Sequence, residues 1–268
     1  MTSIKFKSLS SGSCGNCYWL GIAGEDGTVE TGIVIDAGVS PRRLKPALTG
    51  EGIPADAFDA VLITHDHYDH VHFLGSYCKR FCKPVWSTGK LGRALSSLYS
   101  TGPQYSAMRR NLGEGWNEIV PGRIKVSWFE VPHDASQTIG FAILLDGYRY
   151  VHITDCGRMT REALDWCRQA DTVVLESNYD TDMLLHGPYP KELQDRIRQG
   201  HGHLSNDECA EAIRDFDHPG LKNVFLCHLS EHNNTPALAV EASRGAFHAS
   251  EARLIPLPRD TMSPLFTL

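Results

Sequence analysis

The chain has 268 residues, room for one large domain or two small ones and ample for a full hydrophobic core. Its composition is that of an ordinary globular protein, and a net charge of −6 excludes a surface coated in basic residues, so any contact with nucleic acid must be made through a local patch. MTSIKFKSLSSGS lacks the apolar core of a secretion signal and no apolar run of about eighteen residues offers a membrane span, so the eight cysteines are expected as reduced thiols in the cytoplasm.

In chain order, strands are predicted over Ile4 to Leu9, Cys17 to Ile22 and Gly32 to Ile35, separated by Gly- and Ser-rich connections. SLSSGSCGNC, residues 8 to 17, reads as a hairpin turn; its backbone amides could face an anion, but it lacks the Gly-Lys-Ser/Thr ending of a phosphate loop. Cys14 and Cys17 form a CxxC and Cys78 and Cys82 stand four apart on a predicted helix. Together they could make a zinc site, although the second pair reads equally well as a buried helical stripe. Asp36 closes the third strand in VIDAGVS, where a lone Asp is ordinarily a turn residue. A helix over Arg42 to Leu48 and a strand over Asp59 to Ile63 follow.

Val61 to Leu74, VLITHDHYDHVHFL, is where the chemistry concentrates: an apolar run built for a buried strand stops, and five ionisable side chains arrive within six residues. His65 and His67 are two apart, so in extended backbone both imidazoles leave the same side of the chain and can close on one ion. Asp69 and His70, if the chain turns helical there, face a point beside the first, which suggests two metals. Imidazole with carboxylate suits zinc, iron or manganese, and the absence of thiolate from the run argues against a closed structural zinc site.

Beyond it, helices are predicted over Val71 to Phe81, stopped by Pro84, and over Leu91 to Leu98. Strands are expected over Ile124 to Val131, Thr138 to Leu145 and Tyr148 to Ile153, with His133 just past the first and Asp155 just past the last. A helix over Thr160 to Arg168, a strand over Thr172 to Glu176 and a helix over Pro190 to Arg198 come next. Ser205 or Asn206 would cap a helix with Glu208 in its first turn and Cys209, Ala212, Ile213 and Phe216 on one face. A strand over Asn223 to Cys227 leads into His228. A helix over Ala237 to Ala246 and edge strands over Ala252 to Pro256 and Leu265 to Leu268 complete one domain, residues 1 to 268, with no internal linker.

THDHYDH fits the Thr-His-x-His-x-Asp-His signature, and on it the chain resembles the metallo-β-lactamase superfamily. The resemblance implies an α/β fold, a four-layer αββα sandwich. It also implies that Asp36 orients a ligand histidine. His65, His67 and His133 would take one divalent ion, Asp69, His70 and His228 the other, and Asp155 would bridge them, an arrangement suited to hydrolysis. Cys156, beside Asp155, is a conceivable ligand; Asp155 is preferred because a carboxylate bridges two ions well. The chain departs from the family at Phe73, where a Gly is common, which puts the first turn of the following helix in doubt.

Glu176 in LESNYD and His203 in GHLSN stand in an order similar to the transfer-RNA 3′-processing endonucleases of the superfamily, where such a pair handles phosphate and the leaving-group proton. With Asp69 they are the expected catalytic residues. Over its whole length, through SLSSGSCGNC, LITHDHYDH, GHLSND and CHLSEHNNTP, the chain resembles the YycJ/WalJ-like branch of small bacterial proteins, associated with metal-dependent 5′-to-3′ exonuclease activity on DNA; Cys14 stands where Ser is usual. Only 21 residues separate His133 from Asp155, and 72 separate Asp155 from His228, so neither gap holds the large inserted domain of the ribonuclease J and cleavage-factor relatives, and DNA is expected rather than RNA.

Ser205, Asn206, Arg196 and Arg198 are the expected substrate-binding residues. Other basic candidates are Arg42, Arg43 and Lys45, Arg109 and Arg110, and Lys191. The rival reading is a hydrolase of a thioester, lactone or cyclic phosphodiester, using the same ligands without a basic track. A binding protein with a residual site is disfavoured because no ligand is missing.

Overall fold

The computed structural model describes residues 2 to 268, in which two seven-stranded sheets lie face to face between helices. The first half of the chain runs β1 (Ser3–Gly12), β2 (Gly15–Ala23), β3 (Val29–Ile35), α1 (Pro41–Thr49), β4 (Ala60–Leu62), α2 (Tyr68–Val71), α3 (Leu74–Phe81), β5 (Val85–Thr88), α4 (Gly89–Ser97), α5 (Gly102–Met108) and β6 (Arg109–Leu112). The second runs β7 (Asn117–Val120), β8 (Ile124–Glu130), β9 (Ile139–Leu145), β10 (Tyr148–Ile153), α6 (Arg161–Cys167), β11 (Thr172–Glu176), α7 (Thr181–His186), α8 (Lys191–Arg198), α9 (Asn206–Phe216), β12 (Asn223–Cys227), α10 (Pro236–Arg244) and β13 (Arg253–Pro256). The final strand, β14 (Phe266–Thr267), returns to the edge of the first sheet beside β1.

Strand alternation builds the four layers. On β12, Phe225 and Cys227 enter the core between the sheets while Val224 and Leu226 face α6, α9 and α10; on β3 and β4, Ile33, Ile35, Ala60 and Leu62 point inward while Val34 and Val61 meet α1 and α3. Strands β3 to β6 in one sheet and β10 to β13 in the other run parallel, and β4, β11 and β12, which lie inside their sheets, are buried along their whole length, hence their apolar runs. The αββα sandwich expected from the sequence is the fold observed. No helix among the described residues is long and apolar enough to cross a membrane.

The structure corrects the sequence reading in four places. The helix expected over Val71 to Phe81 is broken: Phe73 has φ −103° and ψ 11°, and its N–H donates to the Ala37 carbonyl at 2.9 Å, so the loop after β3 captures a bond that a continuous helix would have used. SLSSGSCGNC is mostly strand, with a bulge between Ser8 and Ser10 and only Ser13 and Cys14 left to turn. Between Pro84 and Gly122 the chain forms β5, α5, β6 and β7, pieces too short to show a periodicity. The four-cysteine zinc site is absent among the described residues: Cys17 and Cys78 are buried in the core under the first sheet, whereas Cys14 and Cys82 are exposed.

Candidate metal centre

Most candidate residues of the centre sit at or just past the end of a strand, with Asp69 and His70 on the short helix α2 and His203 on the loop before α9. Asp36 follows β3 and His65 to His70 follow β4, from one sheet; His133, Asp155 and His228 follow β8, β10 and β12, and Glu176 ends β11, from the other. Asp36, Asp155 and His228 adopt left-handed backbone, with φ of 61°, 50° and 54°. Such conformations cost non-glycine residues roughly 1 to 3 kcal/mol each and persist where the surroundings over-determine them. Here each follows a strand end; Asp155 and His228 line the cleft, and Asp36 is buried behind it against His70 and Thr64.

The potential ligand atoms of His65, His67 and His133 lie within 4.8 Å of one another, and so do those of Asp69, His70 and His228. Asp155 lies between the groups: Oδ2 is 3.1 Å from His70 Nε2, and Oδ1 is 3.7 Å from His133 Nε2 and 3.6 Å from His228 Nε2. The Nε2 atoms of His65 and His228 are buried without a hydrogen-bond partner. A buried polar atom left so is costly unless something else satisfies it, and an imidazole lone pair among carboxylates fits a divalent cation.

The charges point the same way. Asp36, Asp155 and Glu176 are buried and Asp69 partly so, a density of carboxylate that requires cations. Burial, opposed only in part by Asp155, holds His65 well below the ordinary imidazole range, and burial likewise lowers His133, which leaves both as neutral donors. At His70 and His228 burial is outweighed, chiefly by Asp155, so both rings are pushed up, His228 to about 10. Asp155 is held far below the carboxylate range because His228, His70 and His65 overcome its burial.

A further set of groups fixes the rings. Asp36 Oδ2 lies 2.7 Å from His70 Nδ1 and accepts from Thr64 Oγ1 at 2.8 Å, while Thr64 N–H donates to Asp36 Oδ1 at 2.9 Å. The Gly202 carbonyl meets His133 Nδ1 at 2.7 Å, which leaves Nε2 toward His67. Two asparagines escaped the sequence reading. Asn16 Nδ2 donates to Asp69 Oδ2 at 3.0 Å and lies 2.8 Å from His70 Nε2; Asn178 Nδ2 donates to the His228 carbonyl at 2.8 Å. Both lie in runs already singled out, SLSSGSCGNC and LESNYD, but a lone Asn carries no spacing signal.

Glu176, fully buried, meets His203 on the cleft wall. His203 Nδ1 is 2.6 Å from Glu176 Oε1, whose other oxygen accepts from the Cys156 backbone N–H at 2.7 Å. Burial would depress His203, but Glu176 overrides it and raises the ring's pKa. The Cys156 thiol turns away to the Arg158 carbonyl at 3.0 Å and burial drives its pKa far up, so it is not presented as a ligand.

The open part of the centre is a cleft of about 280 Å³ whose walls include His67, Asp69, His133, Asp155, His203, His228 and Arg196. Arg196 is engaged there by Asp134. Arg198, two residues on, does not reach the cleft wall. Ser205 and Asn206 do not either: Ser205 caps α9 in a capping box with Glu208, and Asn206 is buried against Ser177 and Asn234, so both are spent on holding the loop that carries His203.

Residues 31–228 match the beta-lactamase superfamily domain. The exodeoxyribonuclease WalJ of Streptococcus pneumoniae is 30% identical over 235 residues, covering 88% of this chain and 85% of its own. The exodeoxyribonuclease YycJ of Bacillus anthracis is 30% identical over 236 residues, covering 88% and 86%. The structure of YhfI from Bacillus subtilis, a metallo-β-lactamase fold protein, matches with a TM-score of 0.71 at 14% identity across both full chains, a likeness of fold. Two sheets meeting at a ring of histidines and carboxylates, with sequence likeness along most of the chain, have one common explanation: the protein belongs to the metallo-β-lactamase superfamily and is a metal-dependent hydrolase.

Proposed function

We propose that the chain, as one hydrolase domain, is a two-metal phosphodiesterase of the cytoplasm that degrades DNA as a 5′-to-3′ exonuclease. The observation that carries the reading is the Glu176–His203 contact of 2.6 Å beside the ligand groups. It commits Nδ1 and leaves Nε2, on the cleft wall, free to give a proton to an alkoxide leaving group. A thioester has less need of such a donor. The names of WalJ and YycJ support DNA as the polymer.

In this reading His65, His67 and His133 would hold one ion and Asp69, His70 and His228 the other, with the Asp155 carboxylate available to both groups. Zinc or manganese suits the donor set, and iron is compatible with it. When bound, a pair of divalent ions activates a water and steadies both attacking and leaving oxygens. Asp36 and Thr64 keep His70 in register, and Asn16 does the same for Asp69. Glu176 stabilises the protonated His203 ring, which passes its Nε2 proton to the departing sugar oxygen and regains one from solvent.

The test is a panel of end-labelled single- and double-stranded DNA and RNA with manganese, zinc or magnesium, beside a thioester and a small phosphodiester. Stepwise loss of DNA from the 5′ end is expected. Turnover of the thioester with every polynucleotide left intact would overturn the proposal.

A further inference from the structure

Arg196, the cation that the cleft itself offers, is neutralised by Asp134, and Arg123 and Arg168 likewise sit on carboxylates. A different surface keeps its charge. Between α1 and α3 an open groove of about 760 Å³ is lined by Arg42, Lys79 and Arg80 together with Phe73 and the hydroxyl residues Ser40 and Ser76. No carboxylate lines it, and none of the three cations has an ion pair among the described residues; Arg80 makes only a contact of 5.7 Å with the Phe81 ring. In a chain of net charge −6, three adjacent unneutralised cations are a local potential that favours a polyanion.

A file of ring contacts links the groove's wall to the turn that carries the candidate ligands. Tyr68 stands between His67 and Asp69 and is 67% exposed. Its ring packs on His72 at 4.1 Å and its hydroxyl reaches His72 Nε2 at 3.1 Å; His72 in turn meets Phe73, the groove's aromatic wall, at 4.2 Å. The break in the helix after α2 places these rings in file. Aromatic faces beside a cationic groove are the recurring means of holding a nucleic-acid strand, with bases on the rings and phosphates on the cations.

We propose that this groove carries the phosphate backbone of the strand being cut, and that Tyr68 is a platform for a base next to the scissile phosphate. The inference rests on the nuclease reading and adds to it a path for the polymer, from the Asp69–His70 side of the centre along α3. Arg42, Lys79 and Arg80, rather than Arg196 and Arg198, are then the residues that recognise the strand.

The experiment measures binding of a fluorescent, cleavage-resistant phosphorothioate oligodeoxynucleotide by the metal-loaded protein across a salt series. Arg42→Glu/Lys79→Glu/Arg80→Glu is expected to weaken binding at least 100-fold at low salt and to flatten the salt dependence by roughly two to three counterions. Tyr68→Ala is expected to weaken it roughly 5- to 100-fold with the salt slope kept. Metal content and the circular dichroism spectrum should match wild type in both, which a merely structural role for these residues would not allow. Arg161→Glu/Arg244→Glu, reversing exposed charges elsewhere, should bind as wild type. Wild-type binding by the groove variants, or an equal loss in the Arg161/Arg244 control, overturns the groove assignment. A wild-type protein that cuts DNA while the groove variants still bind it overturns this inference alone; one that neither binds nor cuts any polynucleotide overturns the nuclease reading with it.

Discussion

The backbone carbonyl of Asp69 occupies the space that a side chain on Gly38 would need. The loop after β3 lies directly on the turn that carries Asp69 and His70: Ala37 N–H donates to the His70 carbonyl at 2.7 Å and Gly38 N–H to the Asn16 carbonyl at 2.9 Å. Only glycine allows that approach. Gly38→Ala is expected to cost about 1 to 3 kcal/mol in urea unfolding, as overpacking does, and to lower metal content by displacing Asp69. Unchanged stability with full metal would show that the loop moves aside freely.

Metal analysis of the wild type should find close to two transition ions per chain, and Asp155→Ala should hold fewer than one and lose activity, because the removed carboxylate faces both ligand groups. Ions that bind only the folded chain add about 2.7 kcal/mol each when present at 100 times their Kd, so a chelator should lower the wild-type unfolding midpoint and leave Asp155→Ala nearly unmoved. Activity that survives the substitution would remove the metal-bridging role.

His203 and His228 stack at 5.3 Å yet are assigned different work. His228→Ala should lose a metal. His203→Ala should keep both and lose turnover by roughly 10²- to 10⁴-fold, the usual worth of a general acid. The reverse pattern of metal loss would exchange the two assignments.

His152 is buried between Tyr18 and Tyr150, its Nε2 without a partner, and burial first, then the neighbouring His70, depresses its pKa to about 3. The unfolded chain protonates this histidine near pH 6.5 and the folded chain does not until about 3, so the unfolded state binds the extra proton in between. Stability is therefore full above pH 6.5 and falls as pH drops toward 3, by up to roughly 4 to 5 kcal/mol from this group. His152→Gln should show a shallower acid limb in urea midpoints recorded against pH. Parallel limbs would exclude the effect.

The sequence made the layers and much of the centre legible because strands buried on both faces leave unbroken apolar runs and THDHYDH compresses four candidate ligands into one stretch. His133, Asp155 and His228 were recoverable only as polar residues after apolar strands, in motif order. What stayed hidden depends on contacts between distant segments. Nothing local announces that Ala37 will take the Phe73 N–H and break a helix, or that Asp134 will neutralise Arg196 from 62 residues away. Ser205 carried a correct capping signal, and it is the cap that keeps its side chain from the cleft. Lys79 and Arg80 in the last turn of α3 carry no sequence signal of their own, and only their juxtaposition with Arg42 makes them a groove.

The centre draws one share of its residues from the ends of β3 and β4 and the other from the ends of β8, β10, β11 and β12, so it exists only once the two sheets have docked. Cation capture is then a report on completed assembly. A ribosome-bound chain that has emerged only through β6 can present the THDHYDH turn but not His133 or Asp155, and would hold an ion weakly if at all. Ions held there would act as a clasp across the open edge of the sandwich, so depleting them should loosen the seam between the sheets first, with amide exchange rising at the strand ends before it rises in the strands themselves.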